Sequence, residues 1–213
     1  MIDNIKKIVA SAQEDLHKRV RYLVDEQGKF EVEQYVRFLT MQYYLTQDVQ
    51  KEFYDAAGHR SLYNRKSLRK FLVKFGEEEE PHYVMAKEDA ENIGQKIGEK
   101  PIDVMLWKTY FENTVAARPF VRIGATCILE NMADTSTADI VHLLENTPEL
   151  SESSTRFIRL HMHGDDLPHG DELYDALEAV ELSADELADL ELGARIGRKI
   201  YIQIADWIVT GKE

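Results

Sequence analysis

Cysteine and long apolar runs are scarce in this sequence. Cys127 is the single cysteine among 213 residues, which excludes an internal disulfide, and its position in the apolar run ATCIL favours a role in core packing. No run approaches the roughly 20 apolar residues that a membrane span needs, and the first ten residues lack the apolar core of a secretory signal. We therefore expect a cytoplasmic protein without a membrane partner.

Basic residues are also few compared with acidic ones. The chain has 39 acidic against 26 basic residues and a formal net charge of -13, and its one dense basic stretch is the short segment 65–70. Such a surface repels phosphate, which argues against nucleic acid as a partner. The frequency of symmetric oligomers among soluble proteins makes a homodimer plausible.

Strand signals are absent too, because no stretch alternates β-branched and polar residues between turn dipeptides. Nearly every segment has helical periodicity instead, and no composition shift marks a linker. We predict an all-α protein in which residues 1–213 form a single domain. The predicted helices cover residues 3–26, 32–57, 61–75, 101–113, 118–133, 136–144, 151–163, 168–180 and 183–209.

The last predicted helix has the clearest pattern. Ser183 and Glu186 form a capping-box signature at its start, and apolar or small residues then recur at spacings of three and four on two adjacent stripes. A helix that is apolar over so much of its circumference belongs at the centre of a bundle. Gly193 and Gly197 would allow another helix or a ligand to approach closely.

Acid and histidine residues at proposed helix ends are candidate metal ligands. Glu79 and His82 have the Glu-x-x-His spacing that puts two ligands on one helix face, and Pro81 places His82 near a helix start or kink. His161, Asp165 and His169 follow one another at spacings of four. First-row metals such as iron bind this mixture of imidazole and carboxylate.

Glu130 is a lone acid in the otherwise apolar stretch IGATCILENM, where a carboxylate loses solvation unless something pairs with it. Simpler roles remain open for all of these residues. Asp165 could instead cap the helix that begins near Pro168, the acids before Pro81 could do the same there, and water could reach Glu130 at the nearby helix end.

The order of these segments resembles the haem-oxygenase-like helical fold of haem oxygenases, thiaminase-type proteins, pyrroloquinoline-quinone synthases and iron-containing redox enzymes. The stretch EDLHKRVRYLVDEQGKFEVEQYVRFLTMQYYLTQDVQ is similar to the first two helices of that group. The segments EEEEPHYVMAKEDAENIG, GATCILENM and LHMHGDDLPHGDEL resemble those in which the iron-containing redox enzymes, a family of diiron oxidases, carry their ligands.

This resemblance implies that one or two non-haem irons activate dioxygen to oxidise a small organic substrate. The implied iron ligands are Glu79, His82, Glu130, His161, Asp165 and His169.

Other members of the group imply different functions. His17 stands in the first helix where haem oxygenases place their axial ligand, which leaves a haem-binding or haem-degrading protein as an alternative. Cys127 would be the nucleophile of a thiaminase-type enzyme. A third alternative is a degenerate member of the fold that binds a small molecule or acts as a scaffold without catalysis.

Overall fold

The computed structural model describes residues 2–132, 135–162 and 169–212, and within these ranges it contains helices and turns but no strand. This architecture confirms the all-α prediction. In chain order the helices are α1 (Asp3–Glu26), α2 (Val32–Thr46), α3 (Val49–Gly58), α4 (Lys66–Glu79), α5 (His82–Asn92), α6 (Ile102–Val115), α7 (Pro119–Leu129), α8 (Thr137–Glu145), α9 (Arg156–Met162), α10 (His169–Glu178) and α11 (Ala184–Thr210). None of the helices in the described ranges combines the length and apolarity needed to cross a membrane.

Helix α11 lies at the centre of the bundle, as its sequence pattern predicts. It packs most extensively against α7 and also contacts α1, α2 and α6. The Ser183 hydroxyl accepts a hydrogen bond from the Glu186 amide at 3.2 Å, and the Glu186 carboxylate accepts one from the Ser183 amide at 2.8 Å. The capping box is therefore present, and Gly211 ends the helix in the left-handed region at φ 70°.

Glycines allow α7 and α11 to touch through their backbones. A Cβ atom on Gly193 would lie 1.9 Å from the carbonyl oxygen of Val121, and one on Gly124 would lie 2.1 Å from that of Leu190. The group that approaches Gly193 and Gly197 is thus helix α7. This close pair forms the centre around which the other helices pack.

The prediction of one helix over residues 32–57 is wrong. The chain breaks between α2 and α3, where Gln47 is extended and Asp48 has a φ of 61°. The carbonyl of Gln47 leaves the helical direction and accepts a hydrogen bond from the buried Lys108 ammonium at 3.0 Å. A tertiary contact therefore causes this break, and the local sequence does not predict it.

Helix α4 also differs from its predicted range of 61–75. It begins at Lys66 and continues through Gly76 to Glu79. Gly76 does not stop the helix because it packs against α3, where a Cβ atom would lie 3.1 Å from Tyr54 Cε1 and 3.3 Å from Phe53 Cβ. The extension puts Glu79 at the last position of α4.

Candidate metal centre

The corner between α4 and α5 positions Glu79 and His82. Glu79 ends α4, Pro81 precedes α5, and His82 is its first residue, so two helix ends meet at this point. Both side chains are buried, with 7% and 4% of their surface exposed. The Nδ1 atom of His82 lies 2.8 Å from Oε2 of Glu79. Since an ionised carboxylate only accepts, Nδ1 is the donor in this contact.

Helix α9 brings His161 to this corner. Its ring centroid is 4.8 Å from that of His82, and the ring stacks on Phe157 at 4.3 Å and 21°. His161 Nδ1 lies 2.7 Å from the Phe157 carbonyl oxygen, which can only accept a hydrogen bond. That contact puts the hydrogen on Nδ1, as in histidine ligands that bind a metal through Nε2.

Asp89 ties the helix of His82 to the helix of His161. Its fully buried carboxylate accepts a hydrogen bond from the Phe157 amide at 2.8 Å and one from Arg156 Nε at 3.1 Å. Burial raises the pKa of Asp89, although these hydrogen bonds oppose the shift. The sequence analysis missed Asp89, since an acid in the segment AKEDAEN resembles any solvated helical acid.

These contacts bring three potential ligands close together. Glu79, His82 and His161 each offer one ligand atom, and the three atoms all lie within 4.8 Å of one another. Two imidazoles and one carboxylate, two of them buried and one half-buried, form a donor set that first-row transition metals bind well. The structure thus brings together three of the six predicted ligands.

The structure describes the other three predicted ligands to different extents. Glu130 caps the C-terminal end of α7, is half-buried and faces the same internal cavity as Glu79 and His161. A carboxylate at that end opposes the helix dipole, an arrangement that a nearby cation would relieve. Asp165 lies outside the described residues, and His169 is described only as the first residue of α10.

The cavity has a volume of about 200 Å³ and a largely apolar wall. Its wall combines side chains from α1, α2, α3, α4, α7, α9 and α11, including Leu23, Phe38, Leu45, Phe75 and Ile208. Gln42 and Thr46 of α2 face it as well, and no acid lies between Gln34 and Gln47. Glu79, Glu130 and His161 therefore face a space that can hold a small organic molecule.

A second cluster of buried charges lies on another part of this wall. The Nε–H group of Arg122 on α7 donates a hydrogen bond to the carboxylate of Glu52 on α3. The Lys108 ammonium on α6 donates another to the same carboxylate at 3.0 Å. Burial alone would raise the pKa of Glu52, but the two cations lower it below its ordinary value. The sequence analysis missed this triad because its members are far apart in the chain.

His17 and Cys127 lie away from the candidate ligands. The half-exposed His17 ring contacts the Ser136 hydroxyl at 2.7 Å and is not part of the cavity wall. Gly124 packs against the backbone of α11. Cys127 is buried in the core, and burial raises the pKa of its thiol to about 12, which disfavours a nucleophilic thiolate.

Comparison with known proteins identifies the fold. No protein-family model matches the chain, and no curated protein matches its sequence. The solved structure of a domain of unknown function with a haem oxygenase-like fold, from Shewanella denitrificans OS217, matches with a TM-score of 0.80 and 18% identity over 98% of this chain and 91% of that one. A CADD-like protein of unknown function from Nostoc punctiforme PCC 73102 matches with a TM-score of 0.64 and 13% identity, over 93% of this chain and 97% of that one. The chain therefore has the haem-oxygenase-like fold.

Proposed function

We propose that this protein is a non-haem iron oxidase or oxygenase that uses dioxygen to oxidise a small organic substrate. The observation that carries this proposal is the convergence of Glu79, His82 and His161 beside an apolar cavity. Two histidines and one carboxylate that leave coordination positions open are the ligand set typical of non-haem iron(II) oxygenases.

The geometry of the three side chains fits one ion. Two atoms that bind the same ion at about 2.1 Å are at most about 4.2 Å apart, so separations of up to 4.8 Å require the trio to close by roughly half an ångström. The hydrogen bond from His161 to the Phe157 carbonyl is the kind of outer contact that orients histidine ligands. Iron bound here would supply the redox chemistry that lets dioxygen react with an organic molecule.

The chain's own residues supply orientation and exclusion of water. The Phe157 carbonyl holds the Nδ1 proton of His161 and so orients that ring. Phe157 packs against both rings and shields them. Apolar residues on the cavity wall keep bulk water from the reacting groups, which strengthens every charge interaction inside.

Glu130, Asp165 and His169 belong to the proposal as further ligands, which would complete the coordination of the first ion or hold a second one. Glu130 is supported by its place on the cavity wall. We further propose dioxygen and a small organic molecule as the partners of this cytoplasmic protein, with a homodimer as its assembly.

Metal content tests the proposal directly. Protein reconstituted anaerobically with ferrous iron should retain roughly one or two equivalents per chain and show no haem absorption band. His82→Ala and His161→Ala should each lose most of this iron, because two protein ligands hold the ion more weakly than three. His142→Ala, which changes an exposed histidine on α8, should bind as much iron as the unmodified chain.

Two results would contradict the proposal. Full iron retention in both cavity variants would place the ion elsewhere. A folded chain that binds no iron under any of these conditions would favour a degenerate, small-molecule-binding member of the fold. A haem band would instead direct attention to His17.

A further inference from the structure

The buried triad of Glu52, Lys108 and Arg122 lies outside the candidate metal centre and has no role in it. The exposed fractions of these side chains are 3%, 7% and 1%. Burying three charged groups costs several kcal/mol for each ion unless their mutual contacts repay it. Such a cluster on a cavity wall therefore calls for an explanation in terms of what the cavity binds.

The charges of the triad do not balance. One carboxylate, Glu52, is shared by two cations, so the three groups carry a formal charge of +1. Lys108 also contacts Glu112 at 3.1 Å, but the Glu112 side chain is half exposed and its charge is screened by water. The excess positive charge of the triad is thus shared by Lys108 and Arg122, and Arg122 is the one of the two that lines the cavity.

The geometry of Arg122 leaves one nitrogen for a ligand. Nε donates to Glu52, and Nη1 donates to the Thr126 hydroxyl at 2.7 Å. The guanidinium carbon also lies 4.6 Å from the centre of the Phe53 ring, which limits its rotation. Held in this way, the guanidinium can present Nη2 to an anion without losing its existing contacts.

Arg122 and Glu130 lie apart on one face of α7. Arg122, Thr126 and Glu130 follow at spacings of four, and eight residues of an α-helix correspond to about 12 Å. Glu130 and Glu79 are the carboxylates among the residues that line the cavity. Arg19 faces it too, but both oxygens of Asp206 already pair with that guanidinium, at 2.6 and 2.7 Å.

Cavity size limits what can lie between these ends. A dry apolar cavity of about 150 Å³ holds benzene, so a space of about 200 Å³ suits a molecule of roughly eight to ten non-hydrogen atoms. We propose that Arg122 binds the carboxylate of a small, otherwise apolar substrate whose body extends along the cavity toward Glu79 and His161. This inference rests on the proposed function only in calling the bound acid a substrate.

Calorimetric titration of the metal-free protein tests the anion site separately from the iron. Octanoate should bind at one molecule per chain and at least about tenfold more tightly than octan-1-ol, because its carboxylate pairs with Arg122. Octylammonium, which has the opposite charge, should bind more weakly than both. Equal affinities for octanoate and octan-1-ol would overturn the proposal without any variant.

Two variants make the test specific. Arg122→Gln should remove at least about nine tenths of the octanoate affinity and leave that for octan-1-ol within about threefold. Ala205→Phe, which fills the cavity from α11, should weaken both ligands. Should Arg122→Gln fail to fold, Thr126→Val removes the hydrogen bond from Nη1 and the one to the Arg122 carbonyl, and it should weaken octanoate more than octan-1-ol.

Iron content of the same proteins separates the two proposals. Octanoate discrimination that depends on Arg122, in a chain that binds no iron, would contradict the oxidase and leave the anion site standing. Iron binding with no preference for octanoate would contradict the anion site and leave the metal centre standing. Unchanged octanoate affinity in folded Arg122→Gln would show that the triad serves only to join α3, α6 and α7.

Discussion

Asp89 shows how a single residue can control the metal centre without touching the ion. His82 and Asp89 are both on α5, while Phe157 and His161 are both on α9. The Asp89 carboxylate joins the two helices at one end, and the imidazoles of His82 and His161 meet at the other. The separation of the imidazoles therefore depends on this buried hydrogen bond.

We predict that Asp89→Asn lowers both stability and iron affinity. The asparagine can accept from the Phe157 amide, but its own amide hydrogens then face Arg156, so one buried interaction is lost. The expected cost is about 1–3 kcal/mol in the free energy of unfolding, measured by urea denaturation. Iron affinity, measured by competition with a chelator well below the melting temperature, should fall about tenfold or more.

Glu88→Gln is the matched control for this prediction. Glu88 also pairs with Arg156, at 2.9 Å, but both side chains are well exposed to solvent. Such surface pairs contribute about 0–1 kcal/mol, so stability and iron affinity should stay near those of the unmodified chain. A loss of stability in Asp89→Asn with no change in iron affinity would show that Asp89 does not position His161.

The contact between α7 and α11 allows a prediction at the scale of whole elements. Gly193→Ala should destabilise the chain by about 3 kcal/mol or more, because the new methyl group would overlap the Val121 carbonyl and force two central helices apart. A melting curve should show a decrease of roughly 6–12 °C.

Gly58→Ala provides the comparison for Gly193→Ala. Gly58 is the last residue of α3, and a Cβ atom there would meet no neighbour within 4 Å. This variant should remain within about 0.5 kcal/mol of the unmodified chain. Similar melting temperatures for the two variants would mean that α7 and α11 do not meet through their backbones.

The same elements show what the sequence can predict. Local patterns are enough for α11, whose capping box, apolar stripes and central place are all confirmed. They are also enough for Glu79 and His82, since the two lie three positions apart in the chain. They fail at Gln47, where the helix ends because its carbonyl binds Lys108 from another helix. The same limit hides the triad and Asp89, because each depends on residues more than 50 positions away.

Acid stability connects the buried charges to the behaviour of the whole molecule. The two cations beside Glu52 lower its pKa in the folded chain, so the folded state resists protonation there more than the unfolded state does. This contribution is present above the unfolded pKa and is lost as the pH falls through the folded one. Asp89, whose pKa is raised, acts in the opposite direction.

We therefore expect the free energy of unfolding of the metal-free protein to decrease from pH 5 toward pH 3, with Glu52 contributing to the slope. In Glu52→Gln the decrease should be smaller, because no proton is taken up at this position on unfolding. Urea denaturation at several pH values measures the slope. Glu112→Gln, which alters the half-exposed partner of Lys108, should change it much less. Equal slopes for Glu52→Gln and the unmodified chain would contradict this prediction. The carboxylate of Glu52 would then be protonated as easily in the folded bundle as in the unfolded chain, because its cationic partners do not hold it ionised.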